Sequence, residues 1–175
     1  MKRGLAVAAT LAGVVLLCAA SPDKVPEEIA AHMRDMADEC KQVGGTPLPH
    51  AFVEHGILAD GLEFWAINEG AFQCDGAASP FSGSGGSQVV VYLPLPNGHA
   101  KQVFAHGAYG MAMDRTGTSA KLWLGIGGQL CGQKGNPTHA EAISCDRPLR
   151  WDANAQKLDF APMSQARIPG RLRNW

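Results

Sequence analysis

Hydrolytic chemistry needs a nucleophile, a base within hydrogen-bond reach and donors for the developing oxyanion, so the serines and histidines are read first. Ser79, Ser84 and Ser87 lie in a glycine-rich stretch, and His106 stands beside Gly107-Ala108-Tyr109-Gly110. No G-x-S-x-G element sets any of these serines on the sharp turn that exposes a nucleophile. Only folding could bring them together, and six histidines in 175 residues make chance partners easy to find. No residue is assigned a catalytic role on this basis. Ser84, His106 and Tyr109 are the expected ligand contacts, and a hydrolase built from His106, Tyr109 and the serines of the 79–87 loop is the alternative reading.

Metal and anion chemistry fare no better. His50 and His55 are five apart, whereas a strand puts residues two apart on one face, and zinc wants three or four convergent ligands. Asp60-Gly61 matches the middle of a D-x-[DN]-x-D-G calcium loop, but its first and third positions fall on Gly56 and Leu58, which offer no side-chain oxygen. No metal and no cofactor are therefore expected. Ser82-Gly83-Ser84-Gly85-Gly86-Ser87 lacks the Gly-Lys-Ser/Thr ending of a phosphate loop and leads into a strand pattern, so it reads as a flexible loop. Arg167, Arg171 and Arg173 with Trp175 form a basic end of the kind that is usually solvated. A formal net charge of −1 gives no electrostatic case for nucleic acid.

The cysteines speak to compartment. Met1-Lys2-Arg3 precedes an uncharged apolar run, 5–17, that is too short to span a bilayer, and Cys18-Ala19-Ala20 offers the small residues a signal peptidase accepts. A cleaved signal peptide over 1–20 is expected, with Ser21 opening the mature chain and no membrane span after cleavage; lipidation of Cys18 is disfavoured by Leu17 ahead of it. Four cysteines then remain, Cys40, Cys74, Cys131 and Cys145, with no C-x-x-C pair among them. In an exported chain an even count is a disulfide framework first. Sequence alone selects none of the three possible pairings. Cys40 with Cys74 and Cys131 with Cys145 is the expected one, since each closes a modest loop between neighbouring elements.

The elements follow from periodicity. Pro26-Glu27-Glu28 opens a helix, Val25, Ile29, Met33, Met36 and Cys40 recur on one face, and Gly44-Gly45 ends it, giving a helix at about 26–42. Beyond Pro49 short β-branched and aromatic runs predict strands at 51–55, 63–68, 88–93, 101–106, 121–126, 141–145 and 157–160. Asn97-Gly98 predicts a type I′ hairpin turn. Gln88-Val89-Val90-Val91-Tyr92-Leu93 does not alternate, as in a strand covered on both faces, whereas Leu122, Leu124 and Ile126 mark one core-facing side. The expected fold is α+β and mainly antiparallel: one disulfide-stabilised domain over 21–175, with the helix packed on a β-meander closed or nearly closed into a barrel or sandwich.

Glu69-Gly70-Ala71-Phe72-Gln73-Cys74, the 82–92 loop and strand, His106 to Gly110 and the 122–132 and 145–152 runs together resemble a group of small exported proteobacterial proteins of uncharacterised function. The likeness spans about residues 40–152, and it implies one FG-GAP-like calcium loop ahead of the 63–68 strand, of which only Asp60 and Gly61 match here. The reading that results is an exported periplasmic or cell-envelope protein, a non-enzymatic domain that binds an envelope component or protein partner. Its expected binding surface is the loops at 76–87 and 104–113.

Overall fold

The computed structural model describes residues 25–48, 52–117 and 119–168. The leader 1–20, Cys18, Ser21, His50, Arg171, Arg173 and Trp175 lie outside the described residues.

The helix α1 covers Glu27–Gln42, with both first-turn glutamates at the positive end of its dipole and Lys41 in the last turn. It ends in a Schellman motif: the Gly45 amide donates to Cys40 O at 2.9 Å and the Gly44 amide to Lys41 O at 3.0 Å, with Gly44 at φ 84°. The stripe read from the sequence is its buried side, since Ile29, Met36 and Cys40 are buried and Val25 and Met33 pack beside them.

Among the described residues ten strands follow, and all of their pairings are antiparallel: β1 (Thr46–Leu48), β2 (Val53–Ile57), β3 (Glu63–Asn68), β4 (Gln73–Asp75), β5 (Ser87–Pro94), β6 (Ala100–Ala108), β7 (Gly110–Asp114), β8 (Lys121–Gly127), β9 (Ser144–Asp152) and β10 (Lys157–Phe160). They form one sheet ordered β2-β3-β5-β6, a second ordered β10-β9-β8-β7, and the small pair β1-β4. Neither large sheet closes on itself, and the described residues are mostly antiparallel β with one α-helix.

Burial explains the layering. On β3, Phe64 and Ala66 face one way and Trp65 and Ile67 the other; on β5, Val89 and Val91 oppose Val90 and Tyr92. The first set joins Leu122, Leu124, Ile126, Cys145, Leu149 and Leu158 of the second sheet in one core, while the second set packs against α1. The first sheet is thus covered on both faces, which is why β5 shows no alternation. Two further ties hold α1 down. Glu28 accepts from His99 Nδ1 at 2.7 Å and from the Ala100 amide at 2.6 Å, and Cys40 is bonded to Cys74 on β4. The second disulfide joins Cys131 to Cys145, so the pairing is the expected one.

A single residue, Tyr109, separates β6 from β7, and there the chain passes from the first sheet to the second. Among the described residues the helix, the β1-β4 pair and the first sheet lie before it, and the second sheet lies after it. One parallel bridge between Leu58 and Ala120 crosses back.

Several expectations needed correction. The 104–113 stretch is not a loop but the end of β6 and most of β7. The strand expected at 141–145 begins only at Ser144 and runs through Pro148 to Asp152. Proline is tolerated there because its missing N–H falls just past the end of β10: Pro148 O accepts from the Ala161 amide at 2.9 Å, and Ala161 O takes the Arg147 guanidinium instead. The Asn97-Gly98 turn is not type I′. Of these two residues only Gly98 takes positive φ, and a five-residue loop results in which the His99 amide donates to Asn97 Oδ1.

Candidate functional site

The three expected ligand contacts occupy separate surroundings. Ser84 is exposed at the tip of a tight turn closed by a bridge between Gly83 and Gly86. Ser79 Oγ is used locally, accepting from the Phe81 amide at 3.3 Å, and Ser87 opens β5. His106 on β6 sits in a shallow pocket of about 540 Å³ with Phe104 and Phe160, and the edge of Phe160 meets its ring at 5.2 Å. Its Nδ1 engages Gly107 O at 2.6 Å, not a carboxylate. His55 instead meets Glu63 at 2.9 Å and stacks on Trp65 at 4.3 Å. Asp60 lies in the short turn between β2 and β3, where the Gly61 amide donates to Leu58 O at 2.9 Å. Among the described residues no three His, Cys, Asp or Glu side chains converge as a metal would require.

Tyr109 lines a second recess of similar size. On β8, Leu122, Leu124 and Ile126 point into the core, so Trp123, Gly125 and Gly127 point out. Antiparallel pairing sets Ala112 and Gly110 of β7 opposite Trp123 and Gly125, and Asp146 of β9 opposite Gly125 on the other side. The result is a pocket of about 490 Å³ bounded by Tyr109, Gly110, Trp123, Gly125, Ser144 and Asp146. That volume is in the range of small-molecule sites. Its base is a pair of facing glycines. The ring of Tyr109 lies across Gly127, where a Cβ would stand 2.8 Å from the phenol oxygen, so any side chain there would displace the ring.

Trp123 points outward yet is only 5 % exposed, because the Arg167 guanidinium lies 3.6 Å above its ring. Two backbone hydrogen bonds of 2.8 Å between Arg167 and Asp146 hold that arrangement. The indole Nε1–H is buried and has no hydrogen-bond partner among the described residues. Leaving such a donor unmet costs about 1–3 kcal/mol, which a ligand acceptor would recover. Burial pushes the Asp146 carboxyl above its usual range, partly opposed by Arg167.

A second polar cluster ties the helix to the first sheet. His32 Nδ1 and the Tyr92 hydroxyl are 3.0 Å apart, and His32 Nε2 lies 3.0 Å from Glu69. The order hydroxyl, imidazole, carboxylate has the geometry of a nucleophile with its base and orienter. Burial, with the charges of Glu69 and Glu28, raises the Tyr92 phenol further above its ordinary value, the wrong direction for a nucleophile. The cluster joins α1 to β5 and to Glu69.

Comparison with known proteins adds no relative: no protein-family model, curated protein or solved structure matches this chain. Trp123, Asp146, Gly110 and Gly125 were missed in the sequence. The available signal was glycine inside strand patterns, which marks a close approach or an open face.

Proposed function

We propose that the chain is an exported, non-enzymatic binding domain of the bacterial periplasm or cell envelope, with its ligand site in the Tyr109–Trp123 pocket. The basic, apolar start of the sequence and the two disulfides support export, as does the resemblance to small exported proteobacterial proteins. Among the described residues no helix is long and apolar enough to cross a membrane, which is compatible with that address. The two sheets share one core, and a sandwich is the arrangement we favour for the single domain 21–175.

The observation that carries the binding reading is the unmet indole donor of Trp123 in the wall of a small-molecule-sized recess. Native mass spectrometry of protein isolated from periplasm tests it. A small adduct held by the wild-type chain and absent from Gly110→Val supports the reading. Bare protein in both cases, together with covalent capture of a loop serine by a fluorophosphonate, would favour the hydrolase reading instead.

A further inference from the structure

Resting on that reading, we propose that the ligand is a neutral saccharide, one pyranose ring of which lies on the glycine pair between Tyr109 and Trp123. Gly110 and Gly125 face each other across β7 and β8, so the sheet carries no side chain of its own at this pair, and the Asp146 carboxylate stands at its edge, 3.4 Å from where a Cβ of Gly125 would be. A flat ring can approach the backbone there as no branched residue would allow. The exposed Tyr109 ring supplies an apolar wall, which suits the C–H faces of a sugar.

The polar groups select hydroxyls. A sugar hydroxyl both donates and accepts: the Asp146 carboxylate at the pocket accepts, and Trp123, which lines the pocket, holds an unpartnered Nε1–H buried behind its wall that would donate once uncovered. A plain aromatic ligand would leave both unmet, and a fatty acid would bring its charge beside Asp146. An anionic sugar is disfavoured for the same reason. A cation gains little, because Arg167 already lies over Trp123 and bonds to the Asp146 backbone. A neutral, hydroxylated ring remains. Binding draws the indole N–H into the pocket with a small shift of the guanidinium stacked above it.

The experiment uses the oxidised chain labelled with nitrogen-15, in which the Trp123 indole signal is identified by its loss in Trp123→Phe. Maltotriose, cellotriose and tri-N-acetylchitotriose are titrated to about 10 mM, with 2-naphthol as a ring lacking sugar hydroxyls. The expected result is a saturable shift of the Trp123 Nε1–H signal with at least one trisaccharide. Asp146→Asn should weaken it about tenfold and Gly110→Val should abolish it. A Cβ at Gly110 meets nothing within 4 Å, so this variant fills the pocket while its unfolding midpoint stays at or above the wild-type value.

If 2-naphthol shifts the signal, no trisaccharide does, and Gly110→Val blocks the effect, the saccharide assignment is overturned and the binding pocket survives. If no probe moves the signal, both fall. A trisaccharide shift that persists in Gly110→Val overturns the site.

Discussion

Replacing Cys131 and Cys145 together by alanine removes the bridge that spans 14 positions along the chain. Closing a loop of about 15 residues restricts the unfolded ensemble by about 3 kcal/mol. Cys145 is 1 % exposed in the core shared by the sheets, so losing its sulfur adds a packing term of about 1 kcal/mol. At about 2–4 °C per kcal/mol for a domain of this size, the unfolding midpoint should fall by about 8–16 °C. Circular dichroism melts of the oxidised wild type and the double variant measure this directly. Both retain the Cys40 to Cys74 bridge, so the difference isolates one disulfide. The entropic argument assumes that the intervening chain is free when unfolded. In the folded state that segment is also tied by Gln133, which donates to Glu141 O at 3.0 Å and accepts from the Ile143 amide at 2.8 Å. A midpoint change below 2 °C would mean that such contacts persist in the denatured chain, and it would refute the reasoning.

Because the Asp146 carboxyl is held above its usual range, its protonated form adds stability that is complete at low pH and is lost as pH rises through the folded pKa. Asp146→Asn should accordingly unfold at higher urea than wild type at pH 7, with the gain fading below about pH 4; equal midpoints at pH 7 would contradict the burial argument. His32→Ala leaves the Tyr92 hydroxyl and Glu69 unpaired and should cost about 1–3 kcal/mol in urea unfolding, strongly non-additive with Tyr92→Phe. Thermal unfolding should be the same in about 1 mM calcium as in chelator, and a rise of several degrees abolished by Asp60→Ala would show that the Asp60 turn still binds the ion. N-terminal sequencing of protein recovered from an expressing bacterium should return Ser21 or a close neighbour, whereas Met1 on a soluble cytoplasmic product would end the export proposal.

Legibility tracked how local each signal was. The helix and the strands Glu63–Asn68 and Lys157–Phe160 were readable because caps, periodicity and turn residues lie within a few positions of one another. The strands Thr46–Leu48 and Gln73–Asp75 were not, being three residues each and held together beside a disulfide. Gly110–Asp114 is short, begins on glycine and ends on aspartate, and pairs only because β8 supplies the partner edge. Pro148 disguised the length of β9, where Arg147 from the preceding position bonds the carbonyl left without the proline N–H. The pocket was least legible of all. Tyr109, Trp123 and Asp146 have no meaningful spacing in the sequence, and only the β7-β8-β9 register brings them around one pair of glycines.

The division of the chain at Tyr109 bears on how the protein could be assembled. Cys40 and Cys74 both lie before it and Cys131 and Cys145 both after, so among the described cysteines the bonds join first to second and third to fourth. A polypeptide threaded N-terminus first through a translocation pore would present its thiols in that same order. An oxidase joining each of these cysteines to the next one to emerge would reach the native connectivity directly, closing Cys40 to Cys74 before the second sheet had left the pore. No mispaired intermediate lies on that route, so maturation would call for an oxidant but not for an isomerase.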